Sequence, residues 1–326
     1  MEKDCDKKNS IKCIYEIKKE DLNKEIYLIN NGYYNMSKVK FIETNKDIAS
    51  KVNIIINGET KTNILKYQFN NEGIYTIYII GTEEFTNMSG MFHNCESLIS
   101  IDFSNCKTNN VTNMSGLFSD CKSLKYIDFS NFNTEKVTNM SHMFRNCKSL
   151  ISIDLSIFNI SNVTNLSKMF SGCNSLQKIE LSNFNTNNVI DMSLMFHACI
   201  SLVTVNLSHF NTEKVDEMDG MFFGCKSLES LDLSSFNTNN VKRMNEMFYY
   251  CETLKSIDLS NFNTENVRDM SSMFAACKSL KSINLSNFST KKAEYIMYMF
   301  DKVPRNCKII CNDKKICKEI SSCLIF

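Results

Sequence analysis

Eight cysteines recur at an unbroken spacing of 26 residues, and thiols in such an array could bind a metal or exchange disulfides. They are Cys95, Cys121, Cys147, Cys173, Cys199, Cys225, Cys251 and Cys277. Zinc needs four ligands that converge on one point, and a disulfide needs a dihedral angle of about 90°. Side chains stacked in register run parallel and suit neither. We therefore expect each Cys to pack as a small buried apolar residue, with redox or metal chemistry as the alternatives.

Catalytic patterns are weak elsewhere in the chain. The four histidines, His93, His142, His197 and His209, are scattered, and none is paired in the sequence with a nucleophile and an orienting acid. The sequence has no phosphate-binding loop, His-Glu-x-x-His motif or dinucleotide fingerprint. We expect a protein that is not an enzyme and that uses no cofactor and no metal.

The elements that carry the cysteines repeat with the same period. In the unit from Val137 to Asn162, apolar residues at i, i+3, i+4 and i+7 predict one face of a short helix, and a Leu-x-x-Ile-x-Leu segment predicts a strand. The helix positions are Met140, Met143, Phe144 and Cys147, and the strand positions are Leu150, Ile153 and Leu155. Because units of fixed period bury their apolar sides against their neighbours, the sequence predicts an α/β solenoid of helix–strand coils with one parallel sheet.

These motifs resemble a known family. The Leu-x-x-Ile-x-Leu strand, the Met-x-x-Met-Phe-x-x-Cys-x-Ser-Leu segment and the Asn-Phe-Asn-Thr-x-x-Val turn are similar to BspA-like leucine-rich repeats of bacterial and protist surface proteins. The resemblance covers residues 85–300, as eight full repeats and a degraded ninth. It implies a solenoid that serves protein–protein interaction or adhesion.

The two ends break the period. Residues 1–84 are rich in Ile, Tyr and Val, which predicts a small β domain that covers the first end of the repeat core. Within it, residues 67–79 predict two strands joined by a turn at Gly73, and the run resembles the last hairpin of an Ig-like sandwich. Residues 301–326 are expected to form a C-terminal cap and tail, in which Ile309 and Ile310 add a final strand.

The tail also carries a possible modification signal. The residues from Cys323 to Phe326 form a Cys-aliphatic-aliphatic-X sequence, which directs prenylation in eukaryotes, and lysines precede it. A chance occurrence in a chain rich in Cys and Ile is the alternative. The N-terminus lacks the apolar run of a secretory signal, and no apolar stretch is long enough to span a bilayer. We expect a cytoplasmic protein, attached peripherally to the membrane through a lipid on Cys323, with the cell surface as the alternative location.

An acidic column follows the exposed side of the predicted strands. Its members are Asp102, Asp128, Asp154, Glu180, Asp232 and Asp258. Like charges on neighbouring strands repel, so the column favours a divalent cation or a basic partner, unless nearby Ser and Asn groups satisfy the carboxylates. Tyr126, Lys178 and Thr204 depart from the repeated pattern on this face and are candidate partner contacts, together with the acidic residues.

Charge limits the class of partner. The net charge is +1, and residues 85–300 hold 18 basic against 20 acidic residues, which argues against a nucleic-acid surface. The sequence as a whole predicts a scaffold that binds an unidentified protein through the exposed sheet. An exported adhesin of BspA type and a divalent-cation-binding surface protein are the alternatives.

Overall fold

A computed structural model describes residues 9–35, 40–43 and 45–324 of the chain. An N-terminal β domain leads into a stack of coils that follow the 26-residue period. Coils 1 to 8 begin at residues 85, 111, 137, 163, 189, 215, 241 and 267, and an incomplete coil 9 begins at residue 293. The described part of the chain contains one α-helix, at its C-terminal end.

The N-terminal domain consists of eight strands, two of them long. They are β1 (Ser10–Ile17), β2 (Glu25–Tyr27), β3 (Gly32–Asn35), β4 (Lys40–Glu43), β5 (Val52–Ile56), β6 (Glu59–Thr62), β7 (Lys66–Gln68) and β8 (Gly73–Gly81). The predicted hairpin at Gly73 is wrong, because β7 pairs with β2 while β8 pairs with β1 and β5. The Ig-like sandwich is not confirmed.

Strand β1 joins the domain to the solenoid. It lies antiparallel between β8 and β9 (Leu98–Asn105), the strand of coil 1. The alternating apolar residues of β1, including Ile11, Cys13 and Tyr15, are fully buried. The first repeat strand therefore has a partner on both sides, and the open end of the repeat core is covered.

The strands of later coils are short and parallel. They are β10 (Tyr126–Asp128), β11 (Lys178–Ile179), β12 (Thr204–Val205), β13 (Ser256–Asp258), β14 (Ser282–Leu285) and β15 (Lys308–Cys311). Paired residues are 26 positions apart, as in Ser256 opposite Ser282. Coils 3 and 6 contribute no strand, so the prediction of one parallel sheet is wrong. This strand face consists of three separate groups of strands.

The opposite side of each coil, which we call the turn face, is also not the helix that was predicted. It comprises residues 140–147 and their equivalents, which form successive turns with hydrogen bonds between residues three apart, such as Met143 N–H to Met140 O (3.3 Å). His142 and Asn146 have φ of 60° and 57°, and both positions are left-handed in all nine coils. An α-helix requires right-handed φ at every residue, so two left-handed residues per coil exclude it.

The left-handed residues turn backbone N–H groups toward the next coil. His142 N–H donates to Ser167 O at 2.9 Å, and Asn146 N–H donates to Ser171 O at 2.7 Å. The same bonds recur from coil to coil, so the turn face is a continuous ladder. A left-handed non-glycine residue costs about 1–2 kcal/mol, and these bonds between coils offset that cost.

The core lies between the two faces. Nine rings stack along its axis with centroids 5.5 to 5.9 Å apart. They are Phe92, Phe118, Phe144, Phe170, Phe196, Phe222, Phe248, Phe274 and Phe300, and all of them are fully buried. Each ring is covered by the coils before and after it, so a single coil could not bury its apolar residues alone.

The C-terminal end is closed by β15 and by the helix α1 (Lys314–Leu324). Asp313 fixes the start of the helix, because its carboxylate accepts hydrogen bonds from the N–H groups of Lys315 and Ile316 and from Thr290. Ile316 is fully buried and belongs to the same apolar cluster as the repeats. The helix therefore packs on the solenoid end and shields it from solvent.

Candidate binding surface

The cysteine column is buried, as expected. All eight side chains have no exposed surface, and none of the cysteines in the described part of the chain is in a disulfide. From the second coil onward, each thiol donates to the carbonyl oxygen of the core Phe 29 residues earlier, as in Cys173 Sγ to Phe144 O at 3.1 Å.

Burial also makes these thiols poor nucleophiles. It raises the pKa of Cys95, Cys173 and Cys277 to about 12, and it also raises the pKa of the other five. The reactive form of a cysteine is the thiolate, which is scarce near neutral pH when the pKa is so high. The column therefore packs the core and supplies no chemistry.

The histidines do not form a catalytic arrangement. His93 Nδ1 lies 3.0 Å from the backbone oxygen of Ser119 and 3.7 Å from Asp120, and the hydroxyl of Ser119 donates to Asp120 at 2.9 Å. Arg145 pairs with the same carboxylate at 2.9 Å. Burial lowers the pKa of His93 and holds it neutral. This cluster is a satisfied charge pair on the turn face.

The acidic column makes local hydrogen bonds. In each Asp-x-Ser triplet one carboxylate oxygen accepts from the backbone N–H of the Ser two residues on, as in Asp154 to Ser156 at 2.9 Å. The same bond occurs at Asp128, Asp232 and Asp258. These bonds lower the pKa of the carboxyls. Glu180 instead pairs with Lys178 at 2.9 Å.

No cluster of three or more His, Cys, Asp or Glu side chains that could hold a metal ion occurs in the parts of the chain described. A role for the acidic column in cation binding stays a prediction.

The three residues that depart from the pattern all lie on the strand face, Tyr126 in coil 2 and the other two in coils 4 and 5. Tyr126, Lys178 and Thr204 are exposed on β10, β11 and β12, and Lys178 and Thr204 are directly opposed. Their role in binding a partner stays a prediction. Tyr126 alone adjoins a hollow in this face.

That hollow, which we call the strand-face groove, lies between coils 2 and 3 and has a volume of about 470 Å³. It is lined by Lys125 to Ser130 of coil 2 and by Ser152, Ile153, Asp154, Ser156 and Ile157 of coil 3. Tyr126 is 61% exposed and Ile157 is 46% exposed, and Ile151, in the same coil, is 58% exposed. Asp128 and Asp154 supply negative charge within it.

One substitution in the repeat distinguishes the groove from its neighbours. In coil 4, Asn183 donates from its side-chain amide to the carbonyl oxygens of Leu155 and Phe158, at 2.9 and 2.8 Å, and so joins that coil to coil 3. Asn261 makes the same bonds from coil 7 to coil 6. The equivalent residue of coil 3 is Ile157, which has no amide to donate. Coils 2 and 3 therefore lack this joint.

Sequence reasoning missed Ile151 and Ile157. Their signal was present, because Asn occupies the position of Ile157 in most coils and charged or polar residues occupy that of Ile151 in most others. An apolar residue in a polar column marks either a buried site or an exposed contact, and the distinction needs the structure.

Two further predictions concern the membrane. Cys323 lies in the last turn of α1, and its side chain is outside the described residues, as are Ile325 and Phe326. Lipid attachment there stays a prediction. None of the helices described has the length and apolar character needed to cross a membrane.

The coils define a repeat scaffold of the BspA-like type. A family model described as "Mycoplasma protein of unknown function, DUF285" matches residues 64–179, 145–255 and 229–310. The matches together cover more than half of the chain, and the protein belongs to this family.

Solved structures show weaker likeness. A leucine-rich repeat protein of T. pallidum is 16% identical, over 74% of this chain and 78% of its own, with a TM-score of 0.23. TLR13, solved as a TLR13–ssRNA13 complex, is 13% identical over 74% of this chain and 45% of its own, with a TM-score of 0.21. No curated protein matches the chain.

Proposed function

We propose that this protein is a non-enzymatic scaffold that binds a partner protein in the strand-face groove. The observation that supports the proposal is the set of exposed apolar side chains, Tyr126, Ile151 and Ile157, at a break in the sheet. Exposed Ile and Tyr beside a concave surface are typical of protein contact sites. The other strand-face coils follow the polar consensus more closely.

The chemistry of the groove indicates what it would bind. Tyr126 and Ile157 offer apolar contacts at its rim, and the carboxylates of Asp128 and Asp154 lie between them. A partner segment with an apolar side chain beside a Lys or Arg satisfies both features, because the cation would meet acidic groups. The unpaired edges of the backbone at the break also suit an extended segment.

The test is a pull-down from the source cell with the intact chain and with the Ile157→Asn variant. Asn is the residue that most other coils carry at this position, so this variant should keep the fold and restore the joint between coils 2 and 3. We expect it to lose the partner that the intact chain captures, by at least tenfold in yield. Tyr126→Ser should have the same effect.

The matched control is Ile190→Thr. Ile190 is also an exposed Ile, 44% exposed, but it stands in a column that holds Thr in coils 2, 3 and 4, away from the groove. This variant should capture the partner as the intact chain does. Equal capture by Ile157→Asn and the intact chain would sink the proposal, and so would equal loss in Ile190→Thr.

Two locations are proposed for this binding. One is the cytoplasmic face of a membrane, with a lipid on Cys323, and the other is the cell surface, where an adhesin of BspA type would act. Biotinylation of intact cells labels the protein only in the second case. Cys323→Ser should release the protein into the soluble fraction only in the first.

A further inference from the structure

The ladder of the turn face is polar along its axis. In residues 140–147 and their equivalents, each coil donates N–H groups and the next coil accepts them on carbonyl oxygens. Met140 N–H donates to Asn165 O at 3.1 Å, for example, and Phe144 N–H donates to Met169 O at 2.9 Å. A stack of this kind must end in carbonyl groups at its first coil and in N–H groups at its last.

The carbonyl end is covered by the N-terminal domain. Asn45 Nδ2 donates to Asn87 O at 3.0 Å, Asn30 N–H donates to Met91 O at 2.7 Å, and Asn30 Nδ2 donates to His93 O at 3.0 Å. Two asparagines therefore supply donors at the positions where a preceding coil would supply them. The first end of the ladder is satisfied.

The N–H end is not covered in this way. The groups that would donate to a further coil are the N–H groups of Ile296, Tyr298, Phe300 and Lys302, and none has an acceptor among the described residues. Phe300 is fully buried beneath the C-terminal end, whereas Tyr298 is 64% exposed and Lys302 is exposed. Ile296 is buried as well. We call the N–H groups of Tyr298 and Lys302 the donor edge.

Aromatic side chains surround the donor edge where earlier coils are polar. Tyr295, Met297 and Tyr298 are 54%, 58% and 64% exposed. The equivalent residues of coil 2 are Asn113, Ser115 and Gly116. Large apolar side chains at an exposed edge are unfavourable in water unless something covers them, so this change of composition points to a contact surface.

Charge indicates which partner would bind there. Residues 291–305 contain four basic residues and two acidic ones. The basic residues are Lys291, Lys292, Lys302 and Arg305. An edge that presents only donors in a basic neighbourhood suits oxygen acceptors that carry negative charge.

We propose that the donor edge binds an extended acidic segment of a partner protein, whose carbonyl and carboxylate oxygens accept the two N–H groups while its chain lies across Tyr295, Met297 and Tyr298. A second copy of this chain does not fit. Its own donor edge would oppose donors to donors, and its carbonyl end already accepts from Asn30 and Asn45.

The probe is an acetylated, amidated octapeptide of alternating Glu and Val, compared with one of alternating Lys and Val. Amide hydrogen exchange of the full chain should be fast at Tyr298 and Lys302 and slow at Ser272 and Ala276, the equivalent amides of coil 8, which donate to Met297 O and Asp301 O. The Glu peptide should slow exchange at Tyr298 and Lys302 at least tenfold. The Lys peptide should not.

A variant keeps the test independent of folding. Tyr298 has φ of 60°, and Gly occupies this position in coils 1, 2 and 6, so Tyr298→Gly removes the ring while it preserves the backbone and its N–H. Combined with Tyr295→Asn and Met297→Ser, it should weaken binding of the Glu peptide at least tenfold. Tyr126→Ser, on the strand face, should leave binding unchanged. Equal binding of the two peptides, no binding at millimolar peptide, or unaltered binding by the triple variant would overturn the proposal.

Discussion

The turn face and the strand face of the solenoid are built from the same repeats but obey the period to different degrees. On the turn face, backbone bridges link every pair of neighbouring coils from Asn87 to Tyr295. On the strand face, coils 3 and 6 contribute no strand. Where backbone bonds and stacked rings constrain each residue, the pattern is kept. Where side chains face solvent, single residues can change, and the strand-face groove lies there.

High pH should have the largest effect on stability. It acts on the turn-face side of the solenoid, because the eight cysteines of that side have their thiols buried in the core. Burial raises their pKa, so the folded state keeps protons that an unfolded chain releases above about pH 8.5. Stability is therefore fully present below that pH and falls as the pH rises. We expect the free energy of unfolding to drop by on the order of 10 kcal/mol between pH 8 and pH 10 for eight such groups.

Chemical denaturation at a series of pH values measures this drop. The control is Cys199→Ala, in which one thiol fewer should reduce the number of protons released on unfolding by about one near pH 10. Stability that stays constant to pH 10 would show that the thiols are accessible to water in the folded protein.

Removal of one core ring should have the next largest effect. Phe196 is fully buried and stacks between Phe170 and Phe222, each 5.7 Å away. Phe196→Ala should lower the free energy of unfolding by about 3–5 kcal/mol. Val203→Ala, at a 44% exposed position on the strand face, should change it by no more than about 0.5 kcal/mol. Similar losses in the free energy of unfolding from the two substitutions would contradict the conclusion that the core is more constrained than the strand face.

Repair of the strand face should give a smaller change of opposite sign. Ile157→Asn introduces the side-chain amide that Asn183 and Asn261 use to join coils. We expect it to raise the free energy of unfolding by about 1 kcal/mol, and the reverse change Asn183→Ile to lower it by about 1–2 kcal/mol. Urea denaturation measures both. A loss of stability in Ile157→Asn would show that an amide at this position does not join coils 2 and 3.

Loss of one carboxylate on the strand face should have the smallest effect. Asp154 accepts the N–H of Ser156 and has a lowered pKa for that reason, so its contribution is present above about pH 4 and is lost as the pH falls. Asp154→Ala should lower the free energy of unfolding by about 0.5 kcal/mol at pH 7 and by less at pH 3. The control is Asn206→Ala. Asn206 makes the same bond to Ser208 without a charge, so its cost should not vary with pH.

The sequence predicted the stack, its period and the buried columns, because apolar residues at fixed positions require the same neighbours in every coil. It did not predict the backbone of the turn face. Met140, Met143, Phe144 and Cys147 have helical spacing, yet His142 and Asn146 are left-handed, which spacing does not reveal. The sequence predicted some residues of the strand-face groove but not others. Tyr126, Asp128 and Asp154 line it, but the exposure of the apolar Ile151 and Ile157 follows from their position on the strand face, which only the structure shows.

The uniform 26-residue period has a consequence for how such proteins change in length. On the turn face each internal coil presents the same bonding pattern to both neighbours, so a whole coil can be duplicated or deleted by recombination without altering the domain at either end. Each such event between coil 3 and coil 9 would move the strand-face groove and the donor edge apart, or together, by about 4.8 Å. The number of coils would thus set the distance between two bound partners in fixed steps.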